Sequence, residues 1–303
     1  ATRKSADVLA VLLAECAACG VEIRHSDPVL EVERDNDGFL VTTKAGTTRA
    51  GTLVIATGGA SYPATGSTGD GYAFARALGQ PTTEVAPALA PVYVEDYPFA
   101  DLAGISFQNL TLSVYRDGKR VGQHTGDLLF THTGLSGPGI LDLSRAVRPG
   151  DVLRVAFLSG ATSEEVRKLL TDAVAAGGAR QVKSVLSGLP LPERFVRRLL
   201  DLAGVPADET CAHLGKKARN ALAASLAEFP FRVARLGGFN EAMATRGGVA
   251  LEGINQKTMA SKIVPDLYCI GEVLDIDGDT GGYNLQAAFS TAALAARHIT
   301  ASR

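Results

Sequence analysis

Tryptophan is absent from this 303-residue sequence, methionine appears twice and cysteine four times, and aromatic residues amount to 6%. Neither sign of charge dominates: 30 Lys plus Arg stand against 32 Asp plus Glu, a formal net charge of −2. A nucleic-acid-binding surface needs a basic excess and gains from aromatic stacking platforms; with both in short supply, no nucleic-acid partner is expected. No apolar run reaches the ~18 residues of a membrane span. Ala1–Asp7 is polar and lacks the apolar core of an export signal, so a cytoplasmic protein is expected. Cys16 and Cys19 form a C-x-x-C, but Cys211 and Cys269 lie far from them and singly. Zinc sites draw four ligands, usually from two such clusters, and a redox-active pair normally opens a helix, whereas this one closes a helical pattern. Neither metal nor disulfide chemistry is expected. There is no internal repeat, and no G-x-G-x-x-G.

What the chain does have is apolar mass and clustered glycine: 46% hydrophobic residues and 33 glycines. The length predicts about two domains of ordinary size. Ser5 to about Cys19 reads as a helix capped by Ser5 and stopped by Gly20, with Val8, Leu9, Leu12, Leu13 and Cys16 at helical spacing. Val21–Arg24, Pro28–Arg34 and Phe39–Thr43 read as strands. Thr52–Thr57 is the continuous apolar run of a buried parallel strand. A helix follows over Gly71–Leu78, and the Pro- and Ala-rich stretch Pro81–Pro98 reads as a crossing into a second domain. Residues 88–160 read mainly as strands, 162–229 as helices (Ser163–Ala176, Pro192–Ala203, Lys216–Glu228) and 230–251 as strands again. Asp266–Ile270 is a short buried strand, and Gly281 to about His298 a long last helix. Parallel-sheet-like pieces at the two ends thus flank a β-plus-α insertion, an arrangement that builds a cleft.

Four constellations carry candidate chemistry. The run from Ala56 to Gly71 (ATGGASYPATGSTGDG) follows a buried strand with Thr57-Gly58-Gly59, where backbone can pass close to a flat cofactor or a phosphate; the alternative is a surface Ω-loop. The run from Gly271 to Gln286 (GEVLDIDGDTGGYNLQ) also follows a buried strand and runs into a helix whose free N–H groups and dipole favour negative charge. Glu272 and Asp275 there can accept from ligand hydroxyls. A calcium loop needs a carboxylate at its twelfth position, and counting from Asp275 that position is Gln286. Third, Phe130–Gly139 (FTHTGLSGPG) holds His132, either a proton carrier between domains or a structural histidine. Fourth, Ala244–Val249 (ATRGGV) returns the chain from the insertion, with Arg246 as an anion partner or part of a plain turn.

The strings ATGGASYPATGSTGDGY, LLFTHTGLSGPGIL, ATRGGVALEGINQKTMASK and LYCIGEVLDIDGDTGGYNLQAAFSTA resemble, across nearly the whole chain, bacterial NAD(P)/FAD-dependent flavoproteins that include the bile-acid-inducible flavoprotein reductase and the aminoacetone oxidases. The resemblance implies an α/β fold: a Rossmann-like, three-layer FAD-binding domain with a parallel sheet, made of residues 1–86 and 247–303, and an inserted β-rich and helical substrate domain over 87–246. By the same resemblance Val29 flanks the adenine, and Thr57, Gly58 and Gly59 lie near the ADP half. Gly271, Glu272 and Asp275 line the ribityl and pyrophosphate region, and Gly282, Tyr283, Asn284 and Leu285 meet the flavin ring. His132 covers the substrate side as the catalytic candidate. Family members open with a strand, a G-x-G-x-x-G turn and a helix; none of these is present, so a body without its first ADP-cradling unit is expected. The activity implied is hydride transfer through flavin N5 between NAD(P)H or a small organic substrate and an acceptor, in a monomer or homodimer. NAD(P)H would bind transiently, since no second fingerprint provides a nicotinamide domain. The alternatives are an oxygen-dependent oxidase of a small amino ketone and a non-catalytic flavin-binding protein.

Overall fold

The computed structural model describes residues 4–158 and 160–302. α1 (Ser5–Ala18) has Lys4 at its cap position, one residue before the expected Ser5. Its apolar spacing is helical, but α1 buries none of its residues, and Val8, Leu9, Leu12 and Leu13 are between 41% and 60% exposed. The strand expected at Val21–Arg24 does not form. The Val21 N–H closes the helix by donating to the Cys16 carbonyl, and Ser26, at φ 58°, turns the chain. An antiparallel meander follows: β1 (Val29–Asp35), β2 (Gly38–Thr43) and β3 (Gly46–Ala50). β4 (Leu53–Ile55) leads through the Gly-rich loop into α2 (Asp70–Ala77), and β5 (Ala86–Ala88) comes next.

The chain then builds a separate core. β6 (Val92–Val94), β7 (Ser106–Arg116), β8 (Lys119–Phe130), β9 (Gly134–Ser136), α3 (Pro138–Leu143) and β10 (Val152–Ala156) precede four helices. These are α4 (Ser163–Gly177), α5 (Val182–Leu186), α6 (Glu193–Leu202) and α7 (Lys216–Glu228), followed by β11 (Phe229–Leu236). Among the described residues the strands close into an antiparallel barrel in the order β10-β11-β6-β9-β8-β7, so none is left with an open edge. Alternation explains the inward set of β7: Leu110, Leu112 and Val114 are buried, while a bulge beside Asn109 (φ 54°) resets the parity after Phe107. Phe99 and Phe130 stack at 4.8 Å in the middle, and Phe107, Phe157, Phe195 and Phe231 crowd around them. The helical lobe packs on this core through Val166, Leu170, Leu199 and Leu222. A capping box between Thr162 and Glu165 starts α4.

β12 (Ala244–Arg246) brings the chain back by pairing antiparallel with β5. β13 (Leu267–Cys269) pairs parallel with β4, and α8 (Tyr283–Ala301) ends the fold. Parallel pairing among the named strands is confined to β4 and β13, three residues each, where a broader parallel sheet was expected. The run Thr52–Thr57 pairs on one side only, and Val54 is left 38% exposed. Phe39, Ile55, Tyr72, Val249, Leu267 and Val273 form the core of this second unit.

Within the barrel, Arg116 grips Asp151 with two hydrogen bonds of 2.8 Å. Burial works against the Asp151 charge, but the Arg116 hydrogen bonds and the Arg148 N–H outweigh it, holding the carboxyl below its ordinary range. A carboxylate depressed in the folded state stabilises above its unfolded value, about 3.9, and loses that contribution as pH falls. Asp151→Asn is therefore expected to be less stable than wild type at neutral pH, with the difference shrinking as urea melts are repeated from pH 6 down to about pH 3; a pH-independent difference would sink the assignment.

Candidate functional site

Thr245 lies at the centre of the site, fully buried on β12. Its hydroxyl accepts from the backbone N–H groups of Ala60 (2.9 Å) and Ser61 (3.1 Å). A hydroxyl has two acceptor lone pairs and one proton. With both lone pairs taken, the Thr245 proton goes to Ser61 Oγ at 2.9 Å. The Thr245 N–H in turn donates to Glu272 Oε1 at 2.9 Å. One buried residue thus ties the Gly-rich loop to the acidic loop. Gly59 is buried against it: a Cβ at Gly59 would stand 2.5 Å from Thr245 Oγ1. Gly71 is just as constrained, since a Cβ there would stand 2.0 Å from Thr57 Oγ1. That contact presses the first turn of α2 onto the end of the β4 run.

Gly271 follows β13 and donates its N–H to Thr291 Oγ1 of α8 at 2.9 Å. Asp275 is anchored by the Thr83 hydroxyl, which reaches Oδ2 at 2.9 Å, while the Gly248 N–H donates to the same threonine oxygen at 3.0 Å. Glu272 and Asp275 are both half-buried, and among the described residues the second carboxylate oxygen of each accepts from no protein donor. Tyr72 faces this pair. Its hydroxyl is buried and has no hydrogen-bond partner among the described residues. Burial, helped by the negative charges of Glu272 and Asp275, pushes its pKa up to about 12, so it is a proton donor at neutral pH.

The start of α8 completes the site. The four first N–H groups of a helix have no partner within it, and the cap residue is Gly282, which has no side chain to satisfy them. Gly282 adopts φ 96°, a left-handed conformation costly for any residue with a Cβ. Tyr283 and Leu285 are 65% and 69% exposed, a large apolar surface beside those N–H groups. Asn284 turns the other way and clamps the preceding loop: its Oδ1 accepts from Gly278 N–H at 2.8 Å, and its Nδ2 donates to the Gly278 carbonyl at 3.0 Å.

That loop is also held from the barrel side. Arg145, just past α3, pairs with Asp277, reaches Asp279 Oδ1 at 2.8 Å and donates to the Gly278 carbonyl at 2.6 Å. Asp142 accepts from the Thr280 N–H at 2.7 Å and the Thr280 hydroxyl at 3.0 Å. Arg246 donates to the Arg145 carbonyl at 3.3 Å and pairs with no carboxylate among the described residues.

Val29 and Thr57 come together, as lining of a hollow of about 260 Å³ shared with Gly66, Thr68, Asp70 and Phe74. Gly58, at φ 74°, lies over Ser67 Oγ. His132 does not join these residues. It is exposed in a separate hollow of about 300 Å³, lined by insertion residues such as Tyr93, Ser136 and Glu241. The arrangement around Thr245 and α8 suits a long ligand with hydroxyls for Glu272 and Asp275 and a flat, anion-bearing ring for the helix start.

A family model described as "HI0933-like protein Rossmann domain" matches residues 1–298. The chain belongs to the HI0933-like family. A ribosomal RNA dihydrouridine synthase of Escherichia coli is 31% identical over 303 residues, 98% of this chain and 72% of that protein. The protein of the same name from Haemophilus influenzae is 32% identical over 97% of this chain and 72% of its own length. A 3-dehydro-bile acid delta(4,6)-reductase of Clostridium scindens is 29% identical over 97% and 73%. Membership gives the α/β body its Rossmann assignment. No helix among the described residues is long and apolar enough to cross a membrane.

Sequence reading missed Thr245, Thr83, Asp142 and Arg145. Thr245 had a local signal, since it stands two residues before the Gly247-Gly248 pair, but Asp142 and Arg145 act across more than a hundred residues of chain. Thr245→Val keeps the shape of the side chain and strips the buried Ser61 N–H and the half-buried Ala60 N–H of their acceptor. It is expected to cost roughly 2–5 kcal/mol, read as a shift in the urea midpoint at unchanged slope. A loss below about 0.5 kcal/mol would remove Thr245 from the centre of the site.

Proposed function

We propose that this chain is an FAD-dependent oxidoreductase whose Gly-rich loop and α8 start hold the dinucleotide while the barrel-bearing insertion covers the substrate. The observation that carries this reading is the uncapped start of α8, with Tyr283 and Leu285 bare beside it and two anchored carboxylates upstream. Glu272 and Asp275 offer their free oxygens to ribityl or ribose hydroxyls. Val29 and Thr57 form a hollow for the ADP half. Tyr283 and Leu285 form an apolar edge for the ring, and the first-turn N–H groups meet its carbonyl side, where they favour negative charge. Tyr72 supplies a buried donor between the loops. When bound, FAD supplies hydride chemistry at N5. His132 is the proposed proton donor on the insertion side, and NAD(P)H the proposed transient reductant. We place the protein in the cytoplasm, a reading supported by its four free cysteines.

The names of the relatives favour one acceptor class, a carbon–carbon double bond conjugated to a carbonyl. Such a bond stands in the uridine ring and in a 3-dehydro-4,6-diene bile acid alike. A small conjugated ketone is the first reading for the substrate, in keeping with the net charge of −2. Uridine in ribosomal RNA is the second, favoured by the 31% and 32% identities.

Purified chain incubated with FAD is expected to keep twin flavin absorbance bands through gel filtration and to bleach on anaerobic addition of NADH or NADPH. Reoxidation by a conjugated enone, but not by a uridine-containing ribosomal RNA fragment, supports the first reading; the reverse supports the second. A protein that stays colourless overturns the FAD proposal. Gly282→Ala forces a Cβ into φ 96° at the flavin-facing turn and is expected to weaken FAD retention roughly tenfold, equivalent to about 1.4 kcal/mol. Unchanged retention would move the ring away from α8.

A further inference from the structure

The loop from Asp277 to Thr280 delivers the chain to the start of α8, yet most of what fixes it comes from the barrel-bearing insertion. Arg145 spends its guanidinium on Asp277, Asp279 and the Gly278 carbonyl, and Asp142 takes both donors of Thr280. Within the loop's own unit, Asn284 provides the matching hold on Gly278. The Gly278 carbonyl therefore accepts from Arg145 on one side and Asn284 on the other. Both insertion residues are largely covered, at 23% side-chain exposure for Arg145 and 11% for Asp142. Each sits on α3 or the turn after it, and α3 packs on β8 so tightly that a Cβ on Gly126 would stand 2.7 Å from Gly139 Cα. His124 of β8 lies 3.7 Å from Asp142. A continuous set of contacts thus runs from the barrel wall through Asp142 and Arg145 to the turn at Gly281–Gly282.

From this we infer that Asp142 and Arg145 are positioning residues that hold the 277–280 loop in register, so that the barrel insertion sets the aim of the α8 N–H groups on the flavin ring. This rests on the FAD reading for its consequence but not for its geometry. A fork donor is needed at Arg145, since four acceptors (Asp277, Asp279 and the carbonyls of Gly278 and Asp142) are met by one planar group. Lysine keeps the charge and loses the fork. A ligand that shifts α3 on β8 moves the loop with it, which couples occupancy of the insertion to the electrostatics of the cofactor site.

Arg145→Lys is the test, with Arg116→Lys as its control, because Arg116 makes a two-bond pair with Asp151 inside the barrel and reaches the turn after α3 only through the Ala146 carbonyl, with no contact to the 277–280 loop. Amide hydrogen exchange on the full chain without added FAD reads the geometry directly. Residues 278–285 are expected to exchange at least tenfold faster in Arg145→Lys and unchanged in Arg116→Lys. On chain loaded with FAD, Arg145→Lys is expected to shift the visible flavin band and the midpoint potential, whereas Arg116→Lys lowers the melting temperature and leaves both in place. Equal exchange in the two variants overturns the positioning role. Faster loop exchange in Arg145→Lys with a chain that binds no FAD keeps the positioning role and overturns the FAD proposal instead. Faster exchange with an unshifted flavin band and potential leaves the loop held as described but removes the link to the ring, and so overturns the coupling.

Discussion

Everything around the Gly-rich and acidic loops depends on where two neighbouring backbone N–H groups, one buried and one half-buried, find an acceptor. Ala60 and Ser61 sit in a glycine-rich turn that cannot satisfy them by regular pairing, and both donate to the hydroxyl of Thr245. An unmet buried donor costs about 1–3 kcal/mol, which makes the placement of β12 a condition for the loop rather than a consequence of it. Because β12 pairs with β5, and the Thr245 N–H holds Glu272, the constraint propagates in both directions. The glycine positions follow from it: Gly59 must pass Thr245 closely, and Gly71 must pass Thr57.

Much of this is legible in the sequence. Glycine clusters at Gly58-Gly59 and Gly281-Gly282, each following a short apolar strand, mark backbone that has to approach something closely, and that signal is local. The inward residues of β7 were equally legible from their alternation, and the apolar faces of α4 and α6 from their helical spacing. Barrel closure was not legible, because it depends on β6 finding β11 and β10 finding β7, pairings that leave no trace in either strand by itself. Asp142 and Arg145 were invisible for the same reason. An acid and a base three residues apart at the end of a short helix read as a local ion pair, and their real partners lie 132 to 138 residues away. The parallel sheet was overread, since an apolar run of six residues yields three paired ones. His132 lies in a hollow lined by the insertion's own residues, apart from the site around Thr245 and α8.

Electrostatically the site is an acidic loop kept in order by neutral donors and one arginine. Glu272 is met by a backbone N–H, Asp275 by a threonine, Asp142 by a threonine and its N–H, and Asp277 and Asp279 by Arg145. Arranged this way each of these carboxylates has a protein donor of its own. The loop has carboxylate acceptors at one end and leads into the first-turn N–H donors of α8 at the other, a polarity that on the proposed FAD reading gives the dinucleotide a single direction.

The pairing of β5 with β12 has a consequence for how such proteins change over time. The chain leaves for the barrel and returns from it through two hydrogen-bonded neighbours, so the ends of everything between are about 5 Å apart whatever the size of that intervening stretch. Closing a longer or shorter excursion from the same two strands alters the chain entropy only logarithmically. The stretch between them is therefore an exchangeable cassette. It can be lengthened or trimmed without parting β5 from β12, provided that an acid and a forked base still stand where Asp142 and Arg145 do and that a carbonyl still accepts from the Tyr62 N–H where Phe239 now does.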